Sequence, residues 1–265
     1  MTSAGTGAGT GTVTPASILV LHPRYDEDSQ RMWQEALSAG WMVQRLSGYY
    51  CPAEVLAITA SCERLTLYGG SMWGKHVAAQ LGMELLSPPV DWITALPESL
   101  VKRWSEVAVL GDVRSGTYGW PVFVKTLHNK QMEPKVCQSA DDLPDLDGEL
   151  QVIVQGPVSW RVEYRCFVDR SGVRAMAQYS RCGELDVSSV VDQAEVLKFM
   201  DGLISGGHAP RANATTDVVM PCVIDVGLID GLGMAVVEAN PAWCSGLYAC
   251  DVSQALEVVA GACSR

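Results

Sequence analysis

No stretch of the chain approaches the roughly 18–20 consecutive apolar residues that a bilayer-spanning helix needs. The longest apolar-rich stretches, such as 122–124 and 152–154, have the length of buried strands. Nine cysteines are present, yet no two stand as Cys-x-x-Cys and no histidine lies at a zinc-ligand spacing from them. That excludes the usual structural zinc patterns. Basic residues form no run, and 19 Lys and Arg stand against 30 Asp and Glu, for a net charge of −11. An acidic surface repels phosphate backbones, so no nucleic-acid partner is expected. Residues 1–16 carry no charged side chain and consist almost entirely of Gly, Thr, Ala and Ser. They lack the basic and apolar regions of a secretory signal and bury too little to offset ordering, so a flexible tail is expected. Gly5, Gly7, Gly9 and Gly11 follow no strand and precede no Gly-Lys-Ser/Thr, which removes the context of a phosphate loop. Without a signal, the expected setting is a reducing cytoplasm with mostly buried thiols, and no membrane partner.

What is present describes an ordinary globular chain, 48% hydrophobic and 18% charged. Its 265 residues suffice for one large domain or two to three small lobes. Residues 17–22 read as a buried strand, 26–39 as a helix stopped near Gly40, 41–46 and 64–68 as strands, and 71–81 as a helix ended by Gly82. Such alternation implies a small parallel sheet, whose ligands sit at the carboxyl ends of the strands. Tyr68, Gly69 and Gly70 stand at such an end. The prolines at 88, 89 and 97 mark a change of character. Residues 98–109 read as a helix, 121–126 and 151–155 as strands, 141–150 as a helix or connector, and Gly156-Pro157 as a hinge. Hairpins then follow: 163–169 with 173–179, and 218–227 with 234–238. Residues 190–204 and 251–262 read as helices. No internal repeat is evident.

In an extended strand, alternate residues share a face. Glu238 and Asn240 therefore point the same way, and folding the hairpin about residues 230–233 brings Asp225 opposite Glu238. Two carboxylates and an amide oxygen then converge, an arrangement that like-charge repulsion disfavours unless a cation or proton neutralises it. Magnesium takes such hard oxygen donors, completed by phosphates and water. Glu163 and Arg165 also share a face, flanking Tyr164. Any hairpin can carry acidic residues at its turns, so lysines on the earlier elements supply the deciding context.

Asp225, Glu238 and Asn240 together resemble the magnesium-binding motif of the ATP-grasp superfamily. Glu163-Tyr164-Arg165 and Glu238-Ala-Asn-Pro-Ala-Trp243 are more similar to a compact clade of it, named for an arginine and two lysines. The resemblance covers roughly residues 98–250. It implies an α/β (α+β) ATP-grasp fold, two α+β lobes around the nucleotide, preceded by a small Rossmann-like parallel-sheet lobe. The implied divisions are a tail at 1–16, an N-terminal lobe at 17–92, a central lobe at 93–154 and a C-terminal lobe at 155–265. The implied cofactors are ATP and Mg2+, with Asp225, Glu238 and Asn240 on the metal. Lys125 and Lys102 would meet the phosphates, although a solvated surface role remains open for each. Gln155, Gly156, Val158 and Glu163 would line the nucleotide, with the backbone of 152–155 reading the base. The D-alanine–D-alanine ligases of the superfamily place an arginine shortly before the motif's Asp, but residues 220–223 contain none. Arg165 or Arg181 is expected to supply that charge instead. Tyr68, Gly69, Gly70, Trp243, Ser245, Gly246 and Tyr248 would face the acceptor, unless 243–248 only leads into the helix after Asp251.

The activity this implies is ligation: a carboxylate activated as an acyl phosphate, then attacked by an amine to give an amide, ADP and phosphate. Small-molecule carboxylates and amines are the expected partners, and a homodimer is possible. A phosphotransferase on the same scaffold and a non-catalytic nucleotide-binding module are the alternatives.

Overall fold

A computed structural model describes residues 16–128, 131–188, 193–212 and 218–265. All of the expected tail except Ala16, and the first residues of the helix expected at 190–204, fall outside the described residues.

Three short parallel strands, β1 (Ser17–Leu21), β2 (Met42–Arg45) and β3 (Arg64–Tyr68), form a sheet in the order β2-β1-β3. Helix α1 (Glu27–Ser38) connects the first two, α2 (Ala53–Ala60) the next two, and α3 (Ser71–Leu81) follows β3. Asp26 starts α1 through a reciprocal cap: its carboxylate accepts from the Ser29 amide at 2.8 Å, and the Ser29 hydroxyl accepts from the Asp26 amide at 3.3 Å. At the other end of the lobe, α3 stops at Gly82, whose φ of 63° is the left-handed conformation glycine adopts without strain. The sequence reading missed α2, because its run Ala-Glu-Val-Leu-Ala-Ile-Thr-Ala shows no sharp division into apolar and polar faces.

Residues 98–109 do not form one helix. A single turn, α4 (Glu98–Val101), ends at Lys102 in a left-handed conformation, φ 55°. The chain then extends as β5 (Ser105–Val109), pairing antiparallel with β8 (Gln151–Gln155). The ladder to β8 gives the backbone of 105–109 partners that a helix would otherwise have supplied internally. Between them lie α5 (Leu110–Arg114), β6 (Val122–Thr126) and β7 (Lys135–Cys137), completing a four-stranded sheet β5-β8-β6-β7. Residues 141–150 resolve as a connector after a short 3-10 turn at Ala140–Asp142.

The last sheet has five antiparallel strands. These are β9 (Trp160–Asp169), β10 (Gly172–Arg181), β11 (Glu184–Ser188), β12 (Cys222–Ile229) and β13 (Gly233–Asn240), in the order β11-β10-β9-β12-β13. One face, with Cys166, Ile224, Val226 and Val236, packs on Met200 and Leu203 of α6 (Gln193–Ser205). The opposite face contributes Phe167 and Val223 to a core shared with the parallel sheet and with α7 (Val252–Gly261). The closing strand β14 (Cys263–Ser264) pairs with β4 (Glu84–Leu85). Strand β11 lay outside the sequence reading, since its apolar Leu185 and Val187 are exposed rather than buried.

One irregularity decides where the chemistry sits. Pairing of β12 with β13 runs Val226 to Val236, then Asp225 to Glu238, so Val237 is an extra residue on β13. This is a β-bulge, which leaves one residue unpaired and bends its strand. Before the bulge, Met234 and Val236 face the α6 core; beyond it Ala239 does. Glu238 and Asn240 are thereby turned to the face that carries Asp225 and Val223.

Candidate active site

The site forms where β13 and β12 of the five-stranded sheet meet β6 and β8 of the four-stranded one. Lys125 projects from β6, and its ammonium donates to the Glu238 carboxylate at 3.0 Å. The Asn240 amide donates to the other Glu238 oxygen at 2.8 Å and to Asp225 at 3.4 Å. Behind them Arg165, directly across the ladder from Asp225, grips its carboxylate with two hydrogen bonds of 3.0 and 2.7 Å. The sequence holds no arginine at 220–223, yet a guanidinium reaches Asp225 from the adjacent strand.

The two carboxylates differ electrostatically. Asp225 is only 1% exposed. Burial lifts its carboxyl to about 6 against the pull of Arg165, so it is ionised at neutral pH. Burial also pushes Glu238 up, but the charge of Lys125 and the hydrogen bonds from Asn240 and Lys125 outweigh it and hold it below the ordinary value. Glu238 keeps 37% of its side chain in solvent. Burial works against the Arg165 charge, but Asp225 more than compensates and raises the guanidinium above its normal value.

Among the described residues no group of three or more His, Cys, Asp and Glu side chains could hold a metal. The protein's offer is two carboxylates and one amide. That donor set suits magnesium, which takes one or two carboxylates and completes its shell with phosphate and water. Two lone pairs of Asp225 are engaged by Arg165, leaving the remainder of the roughly four a carboxylate has. The Asn240 amide, turned over, presents its oxygen instead of its nitrogen.

Arg103, Phe123, Lys125, Val136, Gln155, Gly156, Val158, Trp160, Val237 and Glu238 line a cleft beside these groups. Of the nucleotide residues expected, Lys125, Gln155, Gly156 and Val158 are thus brought together. Strand β8 lies between β5 and β6, so its backbone is committed to the two ladders. The chain outside them that faces the cleft begins at Gly156. A Cβ on Gly156 would stand 2.9 Å from the Trp104 indole nitrogen, so glycine lets the hinge lie against that ring. The Gln155 side chain accepts from Arg103 at 3.3 Å and donates to Ser105 at 2.9 Å.

Lys102 ends α4 and is not among the cleft-lining residues; its neighbour Arg103 is. Sequence reasoning missed this because a Lys-Arg pair gives no sign of which member turns inward. Arg181 pairs with Asp186 and Gln178 beside the β10–β11 turn, and it is exposed. Glu163 accepts from the Tyr179 hydroxyl at 2.9 Å. Tyr179 is itself a bulged residue of β10, and it also escaped the sequence reading.

The expected acceptor residues are tied together across the lobes. The Tyr68 hydroxyl donates to the Ser245 carbonyl at 2.9 Å, and the Gly69 amide to the Trp243 carbonyl at 3.0 Å. Gly70 precedes α3 as its cap. Arg165 donates its remaining arm to the Gly246 carbonyl at 3.1 Å. Tyr248, at φ 47°, stacks on Tyr179 with ring centres 4.9 Å apart, and the Arg165 guanidinium stands 4.8 Å from its ring. Asp28 of α1, absent from the sequence reading, accepts from the Leu247 amide at 3.0 Å. Trp243 is fully buried, packed over Gly74 with its indole donating to Leu86, and so lies in the core.

With this geometry in place, comparison with solved structures gives the class of fold. The chain is similar to D-alanine–D-alanine ligase from Bacillus anthracis at 11% identity and TM-score 0.55, over 92% of this chain and 95% of that one. It is similar to N5-carboxyaminoimidazole synthetase from Staphylococcus aureus at 12% identity and TM-score 0.57, over 93% and 77%. An L-amino acid ligase from Bacillus licheniformis aligns at 8% identity and TM-score 0.53, over 86% and 68%. No curated protein sequence matches. The fold is ATP-grasp. Residues 100–258 match the ATP-grasp domain of family 2 in the clade named for an arginine and two lysines, and the chain belongs to that family.

Proposed function

We propose that this protein is an ATP-dependent carboxylate–amine ligase that forms ADP and phosphate. The observation that carries this reading is the continuous chain Lys125–Glu238–Asn240–Asp225–Arg165 at the mouth of the cleft. It sets one cation and a hard oxygen donor set beside the cleft. Structural neighbours at low identity include ligases, one of them complexed with ATP.

Glu238, Asn240 and Asp225 would hold magnesium with the nucleotide phosphates. Magnesium, when bound, neutralises phosphate charge and orients the terminal phosphoryl for in-line transfer. Lys125 then exchanges its Glu238 partner for phosphate oxygens, a charge-assisted contact. The cleft residues Gln155, Gly156 and Val158 receive the base, and Glu163, held by Tyr179, would be a further contact to the nucleotide. Arg165 fixes Asp225 and Gly246, so it orients the oxygen donors and the acceptor loop at once. Phosphoryl transfer needs positioning and charge neutralisation more than a protein nucleophile. A substrate carboxylate oxygen attacks the terminal phosphorus, and the bond to ADP breaks. An amine then attacks the acyl carbon, expels phosphate and loses a proton. Gly70, Gly246 and Tyr248, which keep exposure, form the surface against which the acceptor is placed, while buried Tyr68, Gly69 and Ser245 hold the loop 245–248 in position.

The test is ATP-dependent phosphate release against panels of carboxylates with hydroxylamine as the amine. A trapped hydroxamate is the expected product. Phosphorylated acceptor without hydroxamate replaces this reading with a phosphotransferase. Nucleotide binding without turnover across the panels replaces it with a non-catalytic module.

A further inference from the structure

Arg103 is 7% exposed and makes contacts that no surface arginine would. It leaves the central lobe just before β5 and crosses to β13. One terminal nitrogen donates to the Val101 carbonyl at 2.7 Å and to the Val236 carbonyl at 2.9 Å. The other reaches the Val237 carbonyl at 3.3 Å, and Nε reaches the Gln155 side chain at 3.3 Å. Its guanidinium stands 5.1 Å from the centre of the Trp160 ring. Trp160 can lie there because Gly227 beneath it has no side chain: a Cβ would come within 2.6 Å of the indole.

Val236 and Val237 are the residues at which β13 gains its extra residue. A bulge breaks the regular pairing, and its carbonyls need another donor when buried. The planar fork of an arginine suits several acceptors set at different angles, which the compact ammonium of a lysine does not. The consequence reaches beyond local satisfaction. A shift of one residue along a strand exchanges its two faces. Without the bulge, Glu238 and Asn240 would continue the face of Met234 and Val236, toward the α6 core. The bulge turns them to Lys125 and Asp225.

We propose that Arg103 is a positioning residue that pins the β13 bulge and so sets the oxygen donors Glu238 and Asn240 toward the nucleotide phosphates. This rests on the nucleotide reading above and adds a residue that acts through the strand. Removing the fork lets β13 relax toward regular pairing, and the donor set loses its aim while the cleft for the base remains. Binding of ADP with magnesium is then affected far more than binding of ADP without it. A purely structural arginine would affect both alike.

The experiment measures ADP dissociation constants by calorimetry for the full chain, in excess magnesium and in EDTA. The wild type is expected to bind about ten-fold or more tightly with magnesium, and Arg103→Lys to lose most of that ratio, in line with outer-sphere partners that alter metal affinity about 10–100-fold. The ratio is the readout because Arg103 also lines the cleft, and its loss can weaken metal-free binding as well. Arg103→Gln, which keeps a planar head group, serves as the second variant where the lysine form does not fold. A folded variant whose ratio equals that of the wild type overturns the assignment while leaving the nucleotide reading intact. A wild type indifferent to magnesium overturns both.

Discussion

At the scale of single residues, Asp225 and Glu238 make distinguishable predictions although both are carboxylates on one site. Glu238 is held below the ordinary range chiefly by Lys125 and Asn240 against its burial, whereas burial lifts Asp225 to about 6. The acidic limb of kcat/KM should therefore belong to Asp225, falling as pH drops through about 6 when that carboxyl is protonated and its pairing with Arg165 weakens. The folded value lies above the unfolded value of 3.8. Its contribution to stability consequently has the opposite sense: fully present below 3.8, lost as pH rises through 6. A pH–rate profile together with urea midpoints from pH 4 to 7 checks both directions. Glu238→Gln should lower ATP-dependent phosphate release by about 100-fold or more, as loss of a group that stabilises transferring charge does. Being more than a third exposed, the residue should leave the thermal midpoint nearly unchanged. The structure brings the side chains of Lys125, Glu238 and Asn240 together; the shared face of Glu238 and Asn240 was legible from strand parity, and Lys125 from the family resemblance. Arg103, Tyr179 and Asp28 were not, since each acquires its role from partners far away in the chain.

At the scale of elements, the strands and helices with a sharp signature were legible throughout. Strands β1, β3 and β8 are short apolar runs, and α3 ends on the glycine that its left-handed cap requires. Residues 98–109 misled because Glu98 to Val101 begins a helix and nothing in side-chain character announces the left-handed turn at Lys102. The bulge at Val237 was equally silent. Counting from the hairpin turn, where Ile229 pairs with Gly233, regular pairing would set Asp225 against Val237; the observed partner is Glu238. The sequence reading reached the right neighbours while overlooking the residue that makes them neighbours. Deleting Val237 should close the bulge while keeping Val226 against Val236 and Asp225 against Glu238, so Glu238 stays on the face of Asp225. A charged group turned instead toward Met200 and Leu203 would cost several kcal/mol; because the deletion avoids this, the variant should melt near the wild type and keep magnesium-dependent ADP binding. Thermal unfolding with and without magnesium–ADP measures both.

At the scale of the whole molecule, the class of fold was legible from the alternation of elements and the C-terminal motif, and the chain belongs to the ATP-grasp family they suggested. No helix among the described residues is long and apolar enough to cross a membrane, as the hydropathy pattern implied. A ligand seated between two sheets should stiffen their junction. Magnesium–ATP at about 100 times its dissociation constant should add about 2.7 kcal/mol of stability, read as a concentration-dependent rise in Tm. What composition could not reveal is how the lobes share their cores. Helix α7 completes the core beneath the parallel sheet, and β14 is hydrogen-bonded to β4. During synthesis, which proceeds at about 5–20 residues per second, the parallel-sheet lobe emerges first yet lacks one wall until residues 252–264 have left the ribosome. Its exposed apolar surface must be shielded for many seconds, so this lobe is the part of the nascent chain on which a chaperone has the longest opportunity to act.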